Sequence, residues 1–202
     1  MPKSKSDTNA ISLLKNDHKT VKGLFEKFEA AEESSEKENI IAEAIEELKV
    51  HATVEEEIFY PAIREEVGDD LMNEAEVEHH VARMLIAELD QSTEDEEYRN
   101  AKFKVLAEAV KHHIKEEEGQ MLPSAEELDM DFDALGEQMV QRKEELKSEG
   151  VPPDAEHEML SGRQGRPRER TKMAGASKAA GRKSDNEKGM EPRKGRKEPR
   201  NA

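Results

Sequence analysis

Two copies of one sequence pattern constrain this chain more than any other feature. Each copy is a histidine with glutamates four and five positions later and a proline ten positions later. In a helix, residues four apart lie on the same face, so the imidazole and the first carboxylate of each copy point the same way. Side chains of these types are ligands for transition metals. The copies are His51, Glu55, Glu56 and Pro61, and His113, Glu117, Glu118 and Pro123.

A lone histidine precedes each copy at nearly the same distance. His18 lies 33 residues before His51, and His79 lies 34 residues before His113. The positions six, seven and ten after His18 and His79 are apolar in both cases. The sequence therefore predicts a duplicated helical hairpin in which each half offers two histidines and a glutamate. The apolar residues are Leu24, Phe25 and Phe28 in the first half and Leu85, Ile86 and Leu89 in the second.

Helical spacing of apolar residues extends over most of residues 9–148, whereas no segment alternates in the way of a strand. Four long helices joined by short loops predict an all-α, antiparallel up-down four-helix bundle. Pro61 is expected to kink or end the second helix. The predicted helices span about 9–31, 38–61, 71–89 and 94–118, and an extra short C-terminal helix at about 132–148 is expected to pack outside the bundle.

The charge is unevenly distributed along the 202 residues. Residues 150–202 contain 14 Lys and Arg against 8 Asp and Glu, a net charge of +6, which leaves −22 for residues 1–149 of a total of −16. The C-terminal part is poor in apolar residues and rich in Gly, Pro, Arg, Lys and Ser, so it cannot offset its ordering entropy by burial. We therefore predict a bundle domain at 1–149 and a disordered basic tail at 150–202.

Several classes of protein are excluded or disfavoured by composition. The chain has no cysteine, which rules out disulfides, thiolate metal sites and cysteine nucleophiles. An apolar signal sequence and a membrane-spanning stretch are not apparent, so a cytoplasmic protein without membrane contact is expected. The acidic bundle would repel phosphate and attract cations. The remaining chemistry is that of histidine and carboxylate.

The duplicated hairpin predicts where that chemistry is located. His51 with Glu55 and His113 with Glu117 can each reach one point inside the bundle, and the other two helices bring histidines to the same depth. Imidazole and carboxylate without thiolate suit iron, and also manganese or zinc. Two ions could share the ligands, with each glutamate bridging. The predicted metal ligands are His18, His51, Glu55, His79, His113 and Glu117.

The order and spacing of these residues resemble the hemerythrin-like (HHE cation-binding) family over about residues 10–125. The resemblance implies that the six residues bind two iron ions as a non-haem di-iron centre. It also implies roles such as oxygen binding, oxygen or iron sensing, iron storage, and handling of peroxide or nitric oxide. The chain departs from the oxygen carriers of the family at Arg83, where those proteins have a further histidine. The departure favours redox, sensing or detoxifying roles, with Tyr60 and Glu56 as candidates for an additional oxygen ligand.

Three further histidines compete with the predicted ligands. Adjacent helical residues differ by about 100° in direction, so only one of His79 and His80, and one of His112 and His113, can face the site. Alignment of the halves selects His79 and His113 and leaves the other two exposed or in outer contacts. His157 lies in the predicted tail and is expected to be incidental.

The basic tail supports an alternative function. Gly165, Arg166, Pro167 and Arg168 resemble the core of an AT-hook, which inserts arginine into the minor groove. Under this alternative the bundle is a structural or interaction module, and the tail contacts nucleic acid or an acidic partner. The first hypothesis is a di-iron protein that binds a diatomic or peroxide ligand. Whether such a protein is an enzyme stays open, because the sequence has no catalytic apparatus apart from the metal site.

Overall fold

The computed structural model describes residues 8–91 and 95–163, with side chains as far as residue 160. This part of the chain is all-α and contains no strand. Two short π-helical segments, π1 and π2, interrupt the α-helices. The elements are α1 (Ala10–Ala30), α2 (Ser34–Val54), π1 (Glu55–Phe59), α3 (Tyr60–Val67), α4 (Asp69–Asp90), α5 (Glu96–Glu116), π2 (Glu117–Met121), α6 (Leu122–Glu126), α7 (Phe132–Glu149) and α8 (Ala155–Arg163).

The bundle consists of two helical hairpins, as the sequence predicts. α1 packs against α2, α4 packs against α5, and contacts of α1 with α5 and of α2 with α4 close the bundle. Side chains that precede the helices fix where they begin. Asn9 accepts a hydrogen bond from the backbone N–H of Ser12, and Asp95 accepts one from that of Tyr98. Such caps satisfy N–H groups that have no partner within the helix.

Pro61 was expected to kink or end the second helix, and the helix does not end there. It continues through π1 and α3 to Val67, and Gly68 with φ 102° separates it from α4. The backbone N–H of Tyr60 donates a hydrogen bond to the carbonyl of Glu55, five residues earlier. The wider π turn accommodates a proline ring that would clash with the preceding turn of an α-helix. Pro123 follows π2 in the same way.

The core is divided into two apolar clusters. One fills the end of the bundle around Phe25, Phe28 and Phe103, and the other lies around Leu14, Phe59 and Tyr60. In α1, His18 lies between Leu14 of one cluster and Val21 of the other. The predicted polar site therefore occupies the layer between two apolar regions, where water is largely excluded.

The extra helix α7 packs on the outside of α1, α2 and π1, as predicted. Gly136 permits this contact. A Cβ atom at that position would lie 1.7 Å from the backbone oxygen of Thr8 and 2.7 Å from the backbone nitrogen of Ala10. The close approach brings α7 directly against the start of α1.

The predicted boundary at Gly150 differs from the structure in one respect. Residues 155–163 form α8, which packs against α4, although this segment was predicted to be disordered. Amino-acid composition does not reveal α8, because the helix has few apolar residues. Polar contacts of Glu156 with α4 hold it in place. The AT-hook-like residues and the following basic groups lie outside the described residues. Within the described part, no helix is both long and apolar enough to cross a membrane.

Candidate metal centre

The six predicted ligands meet in the layer between the two apolar clusters. His18 comes from α1, His51 from α2, His79 from α4 and His113 from α5, and each is at most 6% exposed. Glu55 and Glu117 are the first residues of π1 and π2 and are at most 2% exposed. All four long helices thus contribute a histidine, and the two π segments contribute the carboxylates.

The six side chains form two groups that share one residue. Within each group, the potential ligand atoms lie within 4.8 Å of one another. Glu55 belongs to both groups because its Oε1 is 3.1 Å from His51 Nε2 and its Oε2 is 3.3 Å from His79 Nε2. Glu55 could therefore serve as a metal ligand in either group. The groups are His18, His51, Glu55 and Glu117, and Glu55, His79 and His113.

The second carboxylate also lies between the histidine pairs. Glu117 Oε2 is 3.0 Å from His18 Nε2 and 3.8 Å from His113 Nε2. On the side of α4 and α5, the Nε2 atoms of His79 and His113 are 3.2 Å apart. Every imidazole therefore directs Nε2 into the centre.

Several of these inward atoms lack hydrogen-bond partners among the described residues. They are buried, and burying a polar atom without a partner costs about 1–3 kcal/mol. A bound cation would satisfy them all at once, and the donor set of imidazole nitrogen and carboxylate oxygen is one that transition metals accept. The residues thus fit a metal. The atoms are His18 Nε2, His51 Nε2, Glu55 Oε1 and both carboxylate oxygens of Glu117.

The outward Nδ1 atoms of the histidines each face a carboxylate. His18 pairs with Glu118 at 2.9 Å and His79 with Glu56 at 2.8 Å. An ionised carboxylate can only accept a hydrogen bond, so Nδ1 carries the proton and the Nε2 lone pair points inward. The tautomer that a metal requires is thereby fixed. The remaining pairs are His113 with Glu78 at 2.9 Å and His51 with Asp17 at 3.5 Å.

Basic side chains contact three of these outer carboxylates, including Asp17, which pairs with Lys143 of α7. Lys22 contacts Glu118 at 3.1 Å, and Arg83 contacts Glu56. Arg83 also contacts Glu156 of α8 at 3.4 Å. The position at which the sequence lacks a fifth histidine is therefore occupied by a residue that supports the orientation of His79 and contacts α8.

Tyr60 brings a phenol to the centre from the first half of the duplication, whereas the corresponding residue of the second half is Leu122. Its hydroxyl lies 3.4 Å from Glu55 Oε2 and 3.4 Å from His79 Nε2, and the residue is 2% exposed. Burial and the nearby Glu55 raise the pKa of the Tyr60 phenol well above its usual range. Without a metal the phenol is therefore neutral and can donate to Glu55. Glu56, the other candidate for an extra oxygen ligand, faces the outer nitrogen of His79 instead.

Protonation differs between the two carboxylates and between the two histidines of the larger group. Burial and the neighbouring Glu117 raise the pKa of Glu55 well above its usual range. Burial would also raise the pKa of Glu117, but contact with His18 and the nearby His113 lower it overall. Burial lowers the pKa of His51 to about 4, whereas contacts with Glu117 and Glu118 outweigh burial and raise that of His18. Metal binding must therefore displace protons.

A cavity of about 470 Å³ opens onto the centre and is lined by all four of its histidines. Its lining also includes the apolar residues Leu48, Ile86 and Val110. The whole segment 151–157 lines the cavity as well. His157, which was expected to be incidental, belongs to this segment. The cavity thus has room for a small molecule next to the four histidines.

Sequence reasoning missed the contacts between the outer carboxylates and the Nδ1 atoms of the histidines, although the duplication contains a signal for them. Asp17 and Glu78 each precede the first histidine of a half by one residue. Glu56 and Glu118 each follow the inner glutamate by one residue. Lys22 and Arg83 each lie four residues after the first histidine. Comparison of these offsets between the halves would have identified the four carboxylates and the two basic residues.

Comparisons with known proteins match the helical domain that holds these residues. The family model of the hemerythrin HHE cation binding domain matches residues 9–125. Uncharacterised proteins of Mycobacterium bovis and Mycobacterium tuberculosis are each 27% identical over 143 residues, which cover 69% of this chain and 88% of theirs. A crystal structure of an HHE cation-binding domain-containing protein from Mycobacterium kansasii has a TM-score of 0.60 and 27% identity, covering 70% of this chain and 88% of that one.

A weaker similarity is to a DNA nickase of a Nostoc species. It is 23% identical over 117 residues, which cover 58% of this chain but only 33% of the nickase.

Proposed function

The chain belongs to the hemerythrin HHE cation-binding domain family, and we propose that it is a non-haem di-iron protein whose centre binds or reacts with oxygen, peroxide or nitric oxide. Its roles would be stress sensing, scavenging or iron handling. We also propose that it is cytoplasmic, because a chain without cysteine forms no disulfides and needs no oxidising compartment.

The observation that carries the proposal is the set of buried, inward-facing atoms without hydrogen-bond partners among the described residues. His18 and His51 would hold one iron, and His79 and His113 the other. Glu55 and Glu117 would lie between the ions. When bound, iron supplies one-electron chemistry and open coordination positions for a small ligand.

The protein's own residues would control that chemistry in three ways. The carboxylates at Nδ1 fix the tautomer and direction of each imidazole, which raises its basicity as a ligand. The apolar clusters on either side limit the access of water. The cavity has room for a diatomic or peroxide ligand together with a few water molecules, and its apolar wall favours uncharged ligands.

Metal content per chain tests the proposal most directly. Protein purified without added metal or chelator is expected to contain about two irons per chain, the loading typical of di-iron bundle proteins. A His80→Ala variant is the matched control because His80 adjoins His79 but its side chain is 55% exposed. It should retain the iron.

Other outcomes of the same measurement have definite meanings. Zinc or manganese in place of iron would support the ligand set and contradict the di-iron assignment. A folded chain that stays empty after anaerobic addition of ferrous iron would contradict the site itself. If iron is present, absorption spectra after separate addition of oxygen, peroxide and nitric oxide identify which ligand changes the centre.

A further inference from the structure

A third group of potential metal ligands lies on the outer surface of α4 and α5. Glu78 of α4 faces His112 and Glu116 of α5. His112 Nε2 lies 3.6 Å from Glu78 Oε1 and 3.4 Å from Glu116 Oε1. The His112 side chain is 61% exposed, so the group is open to solvent.

The separations match those around a bound divalent cation. Metal–ligand bonds of about 2.0–2.2 Å in tetrahedral geometry place neighbouring ligand atoms about 3.3–3.6 Å apart. A histidine and a glutamate four residues apart are common on exposed helices and would mean little alone. The contribution of Glu78 from a second helix gives the pair a third ligand at the right distance.

A small cleft of about 10 Å³ lies beside this group and the buried centre. Its walls include Glu78 and Glu116 of the surface group and His113 and Glu117 of the centre. Glu117 is 2% exposed, and neither of its carboxylate oxygens has a hydrogen-bond partner among the described residues. A buried carboxylate of this kind in the wall of the cleft is itself a ligand for an incoming cation.

Glu78 contacts both the surface group and the buried centre. Its Oε1 faces His112 on the surface, while its Oε2 accepts a hydrogen bond from His113 Nδ1 at 2.9 Å. One carboxylate therefore contacts both the exposed group and a histidine of the centre. Glu74 adds a further acidic side chain to the wall of the cleft, which favours cations.

The corresponding face of the first half is apolar and buried. Its counterparts of His112 and Glu116 are Val50 and Val54, both 1% exposed. α7 packs over this face of α2, and Lys143 of α7 pairs with Asp17, the counterpart of Glu78. Apolar residues and a helix thus cover in one half the position at which the other half presents metal-binding side chains to solvent.

We propose that Glu78, His112 and Glu116 form a surface site for a divalent cation, through which ferrous iron enters the buried centre by way of His113 and Glu117. The surface site stands on its own geometry, whereas the transfer of iron rests on the function proposed above. Glu78 passes the ion inward because it belongs to the exposed group and contacts His113.

Cobalt binding to the iron-loaded full chain tests the surface site. Co²⁺ is expected to bind as one further equivalent, detected by its visible absorption. His112→Ala should weaken that binding at least about tenfold, since even indirect partners of a metal contribute 10- to 100-fold. His80→Ala is the matched control, because this exposed histidine has no comparable pair of carboxylates across two helices. Equal cobalt binding by the wild-type chain and His112→Ala overturns the surface site.

Iron uptake by the metal-free chain tests the transfer. In anaerobic stopped-flow experiments, His112→Ala and Glu116→Gln should take up ferrous iron about tenfold more slowly, by the same ligand argument, and reach the same final content. An uptake rate equal to that of the wild-type chain overturns the entry route. If no variant takes up iron at all, the transfer fails together with the proposed function, while cobalt binding to the metal-free chain still decides the surface site.

Discussion

The two halves of the bundle repeat the parts that surround the centre. Each half supplies two buried histidines, a glutamate at the start of a π segment, and a proline six residues after that glutamate. The outer carboxylates repeat as well, at the same offsets in both halves. Repetition of contacts as detailed as these indicates that the geometry around both histidine pairs serves the same purpose, namely to present Nε2 inward.

The halves differ where the centre meets its surroundings. Tyr60 in the first half corresponds to Leu122 in the second, so a phenol reaches the centre from one side only. α7 covers the first half, whereas the second half carries the exposed His112 and the cleft beside it. The two halves therefore present their ligands symmetrically, whereas access to the centre and the hydrogen bond from Tyr60 differ between them.

The largest asymmetry is expected between the two inner glutamates. Glu55 belongs to both ligand groups, whereas Glu117 belongs to one. Glu55→Ala should therefore lose nearly all iron, and Glu117→Ala should retain about one of the two ions that a di-iron bundle holds. Iron content per chain, with circular dichroism to confirm folding, measures the difference. Equal losses in both variants would show that the carboxylates are equivalent despite their different contacts.

The next largest effect is expected from a substitution that disturbs the packing of α7 against the first half of the bundle. Gly136→Ala places a Cβ against backbone atoms of Thr8 and Ala10, so it should destabilise the fold by about 1–3 kcal/mol or more. Gly23→Ala is the control, because nothing lies within 4 Å of the new Cβ. It should stabilise α1 by up to about 1 kcal/mol. Urea denaturation gives both values, and an unchanged stability of Gly136→Ala would mean that α7 does not approach α1 this closely.

A smaller effect on stability is expected from removal of the Tyr60 hydroxyl, which only the first half supplies. Tyr60→Phe removes a buried hydroxyl at the upper end of hydrogen-bond distance, which should cost about 0.5–1.5 kcal/mol in the metal-free chain. Tyr98→Phe, at a residue that is 56% exposed, should change nothing. Denaturation of both metal-free variants tests this. If Tyr60→Phe instead loses iron, the phenol is a ligand and the centre is asymmetric in its metal shell.

Truncation should have the smallest effect on the centre. Chains that end at residue 163 or at residue 149 both retain all six proposed ligands, so both should keep their iron. Only the shorter chain removes α8 and the segment that forms one wall of the cavity. A chelator should therefore extract iron faster from the shorter chain alone. Loss of function with unchanged iron in both truncations would favour the alternative in which the basic tail contacts nucleic acid or an acidic partner.

Much of the fold and the meeting of the six side chains could be predicted because they follow from helical spacing and duplication. Periodicity places His51 and Glu55 on one face, and matched intervals place His18 at their level. The π segments could not be predicted in this way, since a single extra residue per helix leaves the apolar pattern almost intact. Pro61 and Pro123 are the visible trace of these turns, and they were taken for kinks or ends.

The remaining contacts depend on tertiary structure that composition does not encode. α8 lies in a segment with few apolar residues, where hydrophobic patterning has little to detect. Its attachment depends on Glu156, which contacts His80 and Arg83 of α4. The asymmetric position of Tyr60 likewise becomes apparent only when the halves are superimposed in space.

The π segments also limit which sequence changes the fold can tolerate. Each accommodates one residue more than an α-helix would place in the same turn, at the glutamate that faces the centre. If residues 55–59 formed regular α-helix with no change in length, the following residues would be rotated by about 100° relative to the preceding ones. His51 and Glu55 would keep their places, but Tyr60 and α3 would turn away from the bundle. Related chains of this kind should therefore vary in length within their loops and keep these two helical turns constant in length.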